Sequence, residues 1–562
     1  MQKLLTFIAL LSLAVSVGCN SHSENSSLDS QDAAPSRSSS GAASGLVNVL
    51  TYHNNNARTG ANPNETVLTL ANVNSRQFGK IGFLPVEGLV DAEPLYVSQL
   101  KIQGTSRNVV FVLTEHDLAY AFDADTFQKL WMVSFLGPDE TTSDNRGCGQ
   151  VTPEIGVTAT PVIDLRARVM YVVAMSKDSS GKYYQRLHAL DLATGAERNG
   201  GPESINATFP GSAVPNSNGQ VDFDPKQYKE RPALLLSSGV VYTSWASHCD
   251  FDPYSAWIIG FDAHTLKRSS VLNIEPNGSE GAIWMAGDGP AADNSGNIYL
   301  LAGNGSFETN LDSHGFPSKA DFGNAFLKLG TGKGKLFVDD YFDMHNTISE
   351  SRKDLDFGSG GEIVLPDMKD SSGKTIHLAV GAGKDNAIYI VNRDSMGKFN
   401  PERNDIYQEV ASTGEENSNG LGGSGGVYST PAYFNSNLYY GSVDDSIRAF
   451  KFNQARLVAP ASSKTSITFG YPGATPGISS NGLRDVIVWA VENNTPAVLH
   501  AYDANDLSHE LYNSNQQRHR DEITGNKFIT PMIAGGKVFV GTPNGVAVFG
   551  LLPPKPSAPG QQ

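Results

Sequence analysis

The sequence predicts an all-β protein, an eight-bladed β-propeller with four-stranded antiparallel blades. The first observation behind this prediction is a recurring unit of Val- and Tyr-rich segments separated by Gly-containing turns, which is typical of short strands. The second is composition, because the 562 residues include 57 glycines and 29 prolines and only 18% are charged. Four-stranded units repeated around an axis protect their sheet edges by closing into a ring.

The first repeat unit is complete and defines the pattern. Its strands are predicted at 92–97, 108–116, 118–126 and 129–135. Seven later units begin with an apolar segment that usually contains a proline. These segments lie at 159–164, 231–236, 289–293, 361–366, 429–434, 475–479 and 529–533. A pair of β-sandwiches is the alternative, but the regular spacing without an interdomain linker favours one propeller.

The propeller is predicted to span residues 78–552. The last unit shows three evident strands, and residues 78–86 predict the missing fourth, which would pair near 546–552. Residues 46–77 form a lead-in segment before the propeller. Residues 553–562 are predicted to be a disordered tail.

The N-terminus predicts an exported lipoprotein. Residues 1–18 carry Lys3 and then a short apolar run, which is typical of a signal peptide. The run ends in Ser-Val-Gly-Cys, which resembles the lipobox of bacterial lipoproteins, so Cys19 is the predicted lipidation site; simple secretion is the alternative. Asn20 favours the outer membrane of the cell envelope. Residues 19–45 hold the lipidated cysteine and a Ser/Ala/Gly-rich disordered tether.

Charge and cysteine content narrow the range of partners. The chain has 42 Lys and Arg against 58 Asp and Glu, so a nucleic-acid partner is not expected. Contact with a membrane is expected only through the lipid anchor.

The sequence contains no CxxCH motif, so no covalent haem is expected. With Cys19 lipidated, Cys148 and Cys249 remain, and two cysteines in an oxidising compartment predict one disulfide.

Four segments resemble one known family. Residues 121–131, AFDADTFQKLW, resemble the tryptophan-docking motif of the pyrroloquinoline quinone (PQQ) dehydrogenases, which are eight-bladed propellers. Residues 300–310 (LLAGNGSFETN), 353–359 (KDLDFGS) and 383–398 (GKDNAIYIVNRDSMGK) resemble segments that carry the site of these enzymes. The chain is therefore similar to the quinoprotein alcohol dehydrogenase-like propellers over roughly residues 80–552.

The resemblance implies roles for single residues. Asp356 matches the catalytic Asp, which takes the alcohol proton as general base. Trp284 matches the residue on which the quinone stacks, and Lys384 matches a lysine that contacts the quinone. Asn304 matches a ligand of Ca²⁺, which acts as a Lewis acid on the quinone oxygens. Each residue also has a structural explanation, since Asn and Asp are common in turns.

Two departures from the family alter the expected site. The family covers its quinone with a disulfide between adjacent cysteines, whereas Cys148 is followed by Gly149. The calcium-binding glutamate of the family falls near His248, Cys249 and Asp250. Asp250 is the expected metal ligand, because a carboxylate suits a hard cation better than His does.

Two functions are consistent with these observations. One is PQQ- and calcium-dependent oxidation of a small alcohol or sugar. The other is a non-catalytic propeller that binds a protein partner or a glycan at the cell envelope. Retention of added quinone with calcium would distinguish them.

Overall fold

The computed structural model describes residues 46–412 and 419–554. The predicted signal peptide, Cys19, the tether and most of the predicted tail lie outside these ranges. Within them the protein is mostly β, as predicted. Its helices are the α-helices Thr347–Arg352 and Arg518–Asp521 and the 3-10 turns Met285–Gly287, Gly332–Gly334, Phe357–Ser359 and Ser514–Gln517. None of the helices in these ranges is long and apolar enough to cross a membrane.

Eight sheets of four or more strands follow one another along the described chain. Sheet one contains Asn48–Val49, Leu95–Ile102, Thr105–Thr114, Leu118–Asp123 and Lys129–Ser134. Sheet two contains Glu140–Asp144, Glu154–Ile155, Val162–Asp164, Val169–Asp178, Tyr183–Asp191 and Glu203–Ser204. Sheet three contains Leu235–Ser237, Val240–Ser244, Trp257–Asp262 and Arg268–Asn273. Sheet four contains Ala291–Ala292, Ile298–Leu301, Phe326–Gly330 and Phe337–Phe342.

The remaining sheets are also antiparallel, except that Ala61–Asn62 pairs parallel with Gly477–Asn481 in sheet seven. Sheet five contains Glu362–Val364, Leu378–Ala382, Ile388–Asn392 and Gln408–Val410. Sheet six contains Ala432–Phe434, Asn437–Tyr440, Arg448–Asn453 and Arg456–Lys464. Sheet seven contains Ala61–Asn62, Gly477–Asn481, Arg484–Glu492, Val498–Asp503 and Asp506–Asn513. Sheet eight contains Phe78–Pro85, Met532–Ala534, Lys537–Thr542 and Gly545–Leu551.

Three small sheets lie in the connecting segments. One contains Thr208–Pro210, Asn216–Ser217 and Gln220–Asp222. The second pairs Tyr228–Lys229 with Ala246–Ser247, and the third pairs Met368–Lys369 with Thr375–Ile376.

The early strand Phe78–Pro85 pairs antiparallel with the last strand, Gly545–Leu551. This confirms the predicted pairing between residues 78–86 and the end of the repeat region. The outer strand of sheet eight therefore comes from the segment that precedes the first repeat unit, and backbone hydrogen bonds join this segment to the last repeat unit.

The hydrophobic core lies between successive sheets. On strand Val169–Asp178, Val172 shares an apolar cluster with Phe111 of sheet one, and the next residue, Val173, shares another with Ile259 of sheet three. The strand is thus buried on both faces, which explains its nearly continuous apolar sequence. Sheet eight also contributes Phe539 to the cluster of Phe111.

The tryptophan-docking motif connects sheets one and two. The Trp131 indole donates a hydrogen bond to the Leu192 carbonyl at 3.1 Å, and its ring lies against Gly195. Asp123 Oδ1 accepts hydrogen bonds from the backbone N–H groups of Asp125 and Thr126 and fixes the turn before the tryptophan. The motif therefore joins neighbouring sheets, as expected of a scaffold element.

The lead-in segment contacts the first strands of successive sheets, which the sequence did not predict. Its carbonyl groups accept hydrogen bonds from backbone N–H groups of sheets two, four, five, six and seven. The pairs are Leu50 with Ile163, Asn56 with Ala292, Ala57 with Val364, Thr59 with Tyr433 and Gly60 with Ile478, at 2.7–3.0 Å. The side-chain amide of Asn56 donates a hydrogen bond to the Leu236 carbonyl of sheet three, and that of Asn62 donates one to the Ile533 carbonyl of sheet eight. One short segment therefore binds the sheets in chain order.

Buried polar side chains hold this segment in place. The backbone N–H of His53 donates to Glu93 at 2.9 Å, and the imidazole nitrogens of His53 lie 2.8 Å from the Arg58 carbonyl and 3.0 Å from the Pro476 carbonyl. The Tyr52 hydroxyl lies within hydrogen-bond distance of Thr430. Since these side chains are almost fully buried, each hydrogen bond satisfies a group that water cannot reach.

Candidate functional site

One cavity brings together the residues that the sequence predicted for the site. Asp250, Trp284, Asn304, Asp356 and Lys384 all line it. Its volume of about 120 Å³ is well above the ~10–15 Å³ that a single water needs on the same measure. The cavity can therefore hold more than a few ordered waters. The roles that the resemblance implies for these residues stay predictions.

Most of the lining residues come from the connections between strands. Asn304 follows strand Ile298–Leu301, and Lys384 follows strand Leu378–Ala382. Asp356 precedes the 3-10 turn Phe357–Ser359, and its carbonyl accepts a hydrogen bond from the Lys384 backbone N–H at 2.9 Å. This hydrogen bond fixes the connection that enters sheet five against a connection between two strands of the same sheet.

Lys384 is the centre of a charged network. Its Nζ lies 2.6 Å from Oδ1 of Asp356 and 2.5 Å from Oδ1 of Asp354. The same Asp354 oxygen accepts a hydrogen bond from the Asn304 amide at 2.7 Å. The Asp356 side chain is only 3% exposed, whereas that of Asp354 is 72% exposed. The network therefore runs from the buried Asp356 to the solvent-exposed Asp354.

Burial and charge act in opposite directions on this pair. Burial raises the pKa of the Asp356 carboxyl, and the nearby Lys384 ammonium offsets part of that increase. Burial alone would lower the pKa of Lys384, but the carboxylates of Asp356 and Asp354 outweigh it and raise that pKa. Asp356 is therefore an ion-paired carboxylate with increased proton affinity, which suits a general base.

Asn304 presents an oxygen that has no partner. While its amide nitrogen donates to Asp354, its Oδ1 is buried and accepts no hydrogen bond in the described part of the chain. A buried carbonyl oxygen without a partner is costly unless a ligand satisfies it. This atom faces the same cavity as Asp250, so two oxygen donors are available to a cation.

Asp250 is held by its own loop. Its Oδ1 accepts hydrogen bonds from the Ser247 and Tyr254 hydroxyl groups at 3.0 and 3.1 Å. The neighbouring His248 does not line the cavity, and its Nε2 lies 2.6 Å from the Asn145 carbonyl. Of the candidates near the family's glutamate position, Asp250 therefore faces the cavity and His248 braces the loop behind it.

The predicted disulfide is confirmed. Cys148 and Cys249 are bonded, with a Cα–Cα distance of 5.7 Å, and the bond closes a separation of 101 residues. Neither cysteine lines the cavity, but Gln150 and Asp250, which follow the two cysteines closely, do. The bond therefore joins the two loops that supply these cavity residues.

Sequence reasoning missed a second group of charged residues. Lys229, Arg231 and Lys527 also line the cavity. The Arg231 guanidinium stacks on the Phe528 ring at 4.3 Å, and its Nη2 is buried without a partner among the described residues. With Lys384, these residues give the cavity four basic side chains.

Aromatic residues complete the cavity, and they were also missed. They are Tyr254, Tyr428, Tyr471 and Phe528, in addition to the predicted Trp284. A sequence signal does exist, because Lys229, Tyr428 and Phe528 each stand three positions before the proline that starts a repeat unit. That position precedes the first strand of a sheet, where the connections converge on the cavity.

The fold is similar to that of solved quinoprotein dehydrogenases. A quinohemoprotein alcohol dehydrogenase from Comamonas testosteroni matches with 13% identity and a TM-score of 0.57, over 92% of this chain and 82% of that one. The alcohol dehydrogenase ADHIIG from Pseudomonas putida HK5 matches with 13% identity and a TM-score of 0.57, over 91% and 82% of the two chains. A europium-containing methanol dehydrogenase matches with 11% identity and a TM-score of 0.54, over 90% and 98%.

These similarities define the class of fold. Neither a protein-family model nor a curated protein sequence matches the chain. The predicted resemblance to the quinoprotein alcohol dehydrogenase-like propellers is confirmed at the level of the fold. The chemistry of the cavity has to be argued from its own residues.

Proposed function

We propose that the eight sheets are the blades of a closed eight-bladed propeller, and that its cavity binds PQQ with Ca²⁺ to oxidise a small alcohol or sugar. One observation carries this proposal. Residues from five separate loops, at positions 250, 284, 304, 356 and 384, line the same cavity, and the resemblance assigns them to one quinone site. The contacts of the lead-in segment with successive sheets support the closed ring.

The cavity suits a flat, anionic ligand. The Trp284 ring offers a stacking surface, and it packs on the buried apolar cluster between sheets two and three. PQQ carries three carboxylates, for which Arg231, Lys384 and Lys527 supply positive charge. Because Arg231 Nη2 is buried without a partner, an incoming carboxylate would satisfy it.

The cation site is incomplete without a ligand. Asn304 Oδ1 and the Asp250 carboxylate would supply two oxygens, whereas Ca²⁺ takes six to eight. Within the described ranges, no group of three His, Cys, Asp or Glu side chains could hold a metal ion by itself. Calcium binding is therefore expected to depend on oxygens of the bound quinone and of water.

Asp356 is the residue proposed to move the proton. Bound quinone supplies a two-electron acceptor for the hydrogen that leaves the alcohol carbon. The buried Asp356 carboxylate would accept the hydroxyl proton, and Lys384 would hold that carboxylate charged and oriented before the substrate arrives. The Tyr428 ring lies beside the pair, with its centre 5.9 Å from Lys384 Nζ.

Reconstitution tests the proposal. The purified chain is mixed with PQQ and Ca²⁺, desalted, and examined for a retained chromophore and for dye reduction with small alcohols and sugars. Asn304→Ala and Trp284→Leu are expected to lower retention at least tenfold, whereas Asn206→Ala, at an exposed position, should not. The proposal would be contradicted if the wild-type protein retained no quinone after desalting, or if the wild-type protein and all variants retained the same amount.

One observation favours the alternative, a non-catalytic propeller that binds a glycan or an envelope protein. Without any ligand, the Asp354 carboxylate already pairs with the Lys384 ammonium and accepts the hydrogen bond of the Asn304 amide. Carboxylates beside exposed aromatic rings also suit a sugar. If the protein retains no quinone but binds glycans, this alternative replaces the dehydrogenase.

The proposed location is the cell envelope, with a lipid on Cys19. The apolar run and Ser-Val-Gly-Cys sequence at residues 1–19 support it. Metabolic labelling with a fatty-acid analogue is expected to tag the wild-type protein but not a Cys19→Ser variant. Labelling of the variant would contradict attachment at Cys19.

A further inference from the structure

Lys229 is a buried amine that faces the cavity without an ion pair. It ends the short strand Tyr228–Lys229 and is 1% exposed. Its Nζ donates a hydrogen bond to Gln150 Oε1 at 2.8 Å and lies 5.7 Å from the centre of the Trp284 ring. No carboxylate oxygen lies within 4 Å of this nitrogen in the part of the chain that the structure describes.

The charged groups around Lys229 do not offset the cost of burying its ammonium form. Arg231, two residues along the chain, places a second cation in the same cavity. The acidic groups that act on Lys229, all beyond ion-pair distance, are Glu115, Asp91 and Asp250. Burial and the nearby Asp91 raise the pKa of Glu115 well above its usual range, which weakens the negative charge that Glu115 presents to Lys229. His248 also faces Lys229, whose charge contributes to the lowered pKa of the imidazole.

Burial and Arg231 together lower the pKa of Lys229 to about 7. Roughly half of this amine is then unprotonated at neutral pH, whereas an ordinary lysine, with a pKa near ~10.4, is almost entirely charged. Only the unprotonated amine is a nucleophile. Desolvation and a neighbouring cation are the two features that activate lysines for imine chemistry.

We propose that Lys229 captures aldehydes and ketones as an imine in the cavity. The nitrogen lone pair forms a C–N bond to the carbonyl carbon, and the carbonyl oxygen takes the proton that the nitrogen loses. The carbinolamine then expels water as C=N forms. The balance is one amine and one carbonyl compound giving one imine and one water, with no change of oxidation state. This capture needs neither quinone nor calcium, so it is independent of the proposed dehydrogenase.

Arg231 identifies the class of carbonyl compound. Its buried Nη2 has no partner among the described residues and faces the same cavity as Lys229. A carboxylate on the ligand would satisfy this donor while the carbonyl meets the amine. The preferred ligands are therefore aldehydes and ketones that also carry a carboxylate.

Reductive trapping tests the inference in the wild-type protein. The chain, free of quinone, is incubated with 4-carboxybenzaldehyde and cyanoborohydride between pH 5 and 9, and the modified lysines are quantified by peptide mass spectrometry. Lys229 is expected to be modified at least tenfold more than the exposed Lys226 at pH 7, with half-maximal modification near pH 7. Benzaldehyde, which lacks the carboxylate, should modify Lys229 less.

Two variants test the mechanism. Arg231→Gln is expected to move the pH of half-maximal modification upward and to remove the preference for the carboxylated aldehyde. Lys229→Arg is expected to remove the cavity label and to leave the label at Lys226 unchanged. Equal modification of Lys229 and Lys226 at pH 7 in the wild-type protein would overturn the inference, whether or not the variants fold.

Discussion

Nζ of Lys384 lies 2.6 Å from Oδ1 of Asp356, and the Lys384 backbone N–H donates to the Asp356 carbonyl at 2.9 Å. One ion pair and one backbone hydrogen bond therefore fix Asp356 relative to Lys384. The Asp356 side chain is 3% exposed and the Lys384 side chain is 17% exposed, so water screens this ion pair less than it screens a surface ion pair. A buried carboxylate with raised proton affinity and a fixed orientation is what proton removal from an alcohol requires.

Asp356→Asn is expected to abolish dehydrogenase activity without unfolding the protein. General bases contribute roughly 10²–10⁴-fold to rate, so the loss should reach at least ~100-fold. Lys384 keeps its contact with Asp354 in this variant, and no buried ammonium is left unpaired. The checks are dye reduction with reconstituted protein and the urea midpoint.

Asp139→Asn is the matched control for this prediction, because Asp139 is an exposed carboxylate that does not line the cavity. It should keep full activity. Activity of Asp356→Asn equal to that of the control would remove Asp356 as the base.

The strands were predictable because their signal is local. The segments predicted at 108–116 and 118–126 correspond to Thr105–Thr114 and Leu118–Asp123 in the structure. Strands buried on both faces read as apolar runs between turn residues. Asp356 and Lys384 were identified as site residues because the segments around them, 353–359 and 383–398, resemble site segments of the PQQ dehydrogenases.

Other parts of the molecule leave little trace in the sequence. Lys229 shares its position before the repeat proline with Tyr428 and Phe528, but the residue type differs at each of these positions, so the pattern does not by itself indicate a buried lysine in the cavity. The path of the lead-in segment depends on carbonyl groups such as those of Leu50 and Thr59, which bond to sheets hundreds of positions away. Backbone acceptors are present at every residue, and side-chain patterns therefore cannot predict that path.

Removing the disulfide is expected to destabilise the protein and to weaken the site. Cross-linking a loop of about 100 residues contributes roughly 4.7 kcal/mol in the chain-entropy model, and the separation here is 101 residues. A Cys148→Ser, Cys249→Ser variant should therefore unfold at lower urea concentration. It should also retain less quinone, because Asp250 follows Cys249 directly. Wild-type protein treated with reductant should behave like the variant, and unchanged midpoints in both would contradict the prediction.

Glu93 is expected to make stability fall as pH rises. Burial raises its pKa from 4.5 to about 8, although the His53 N–H and Arg58 offset part of the increase. Between these two values the folded protein holds a proton that the unfolded chain has released, so unfolding becomes easier with rising pH. Glu93→Gln lacks this titration but can still accept the His53 hydrogen bond.

The measurement is the urea midpoint of wild type and Glu93→Gln at pH 5, 6.5 and 8. The variant should gain stability relative to wild type as pH rises, by at most ~1.4 kcal/mol per pH unit. Parallel pH profiles for the two proteins would show that Glu93 titrates normally or not at all in this range.

Gly60→Ala is expected to be among the most destabilising changes in the lead-in segment. Gly60 has φ +68, and a Cβ there would lie 2.4 Å from Nε2 of His53. That ring is held between the Arg58 and Pro476 carbonyls and cannot move without breaking buried hydrogen bonds.

Gly104→Ala is the matched control, since Gly104 has φ +80 but no atom lies within 4 Å of the position that its Cβ would take. The left-handed backbone alone costs an alanine about 1–2 kcal/mol, and both variants lose this amount. Only Gly60→Ala should lose a further ~1–3 kcal/mol for unpaired buried groups, seen as a lower urea midpoint. Equal midpoints for the two variants would mean that the lead-in segment does not pack as described.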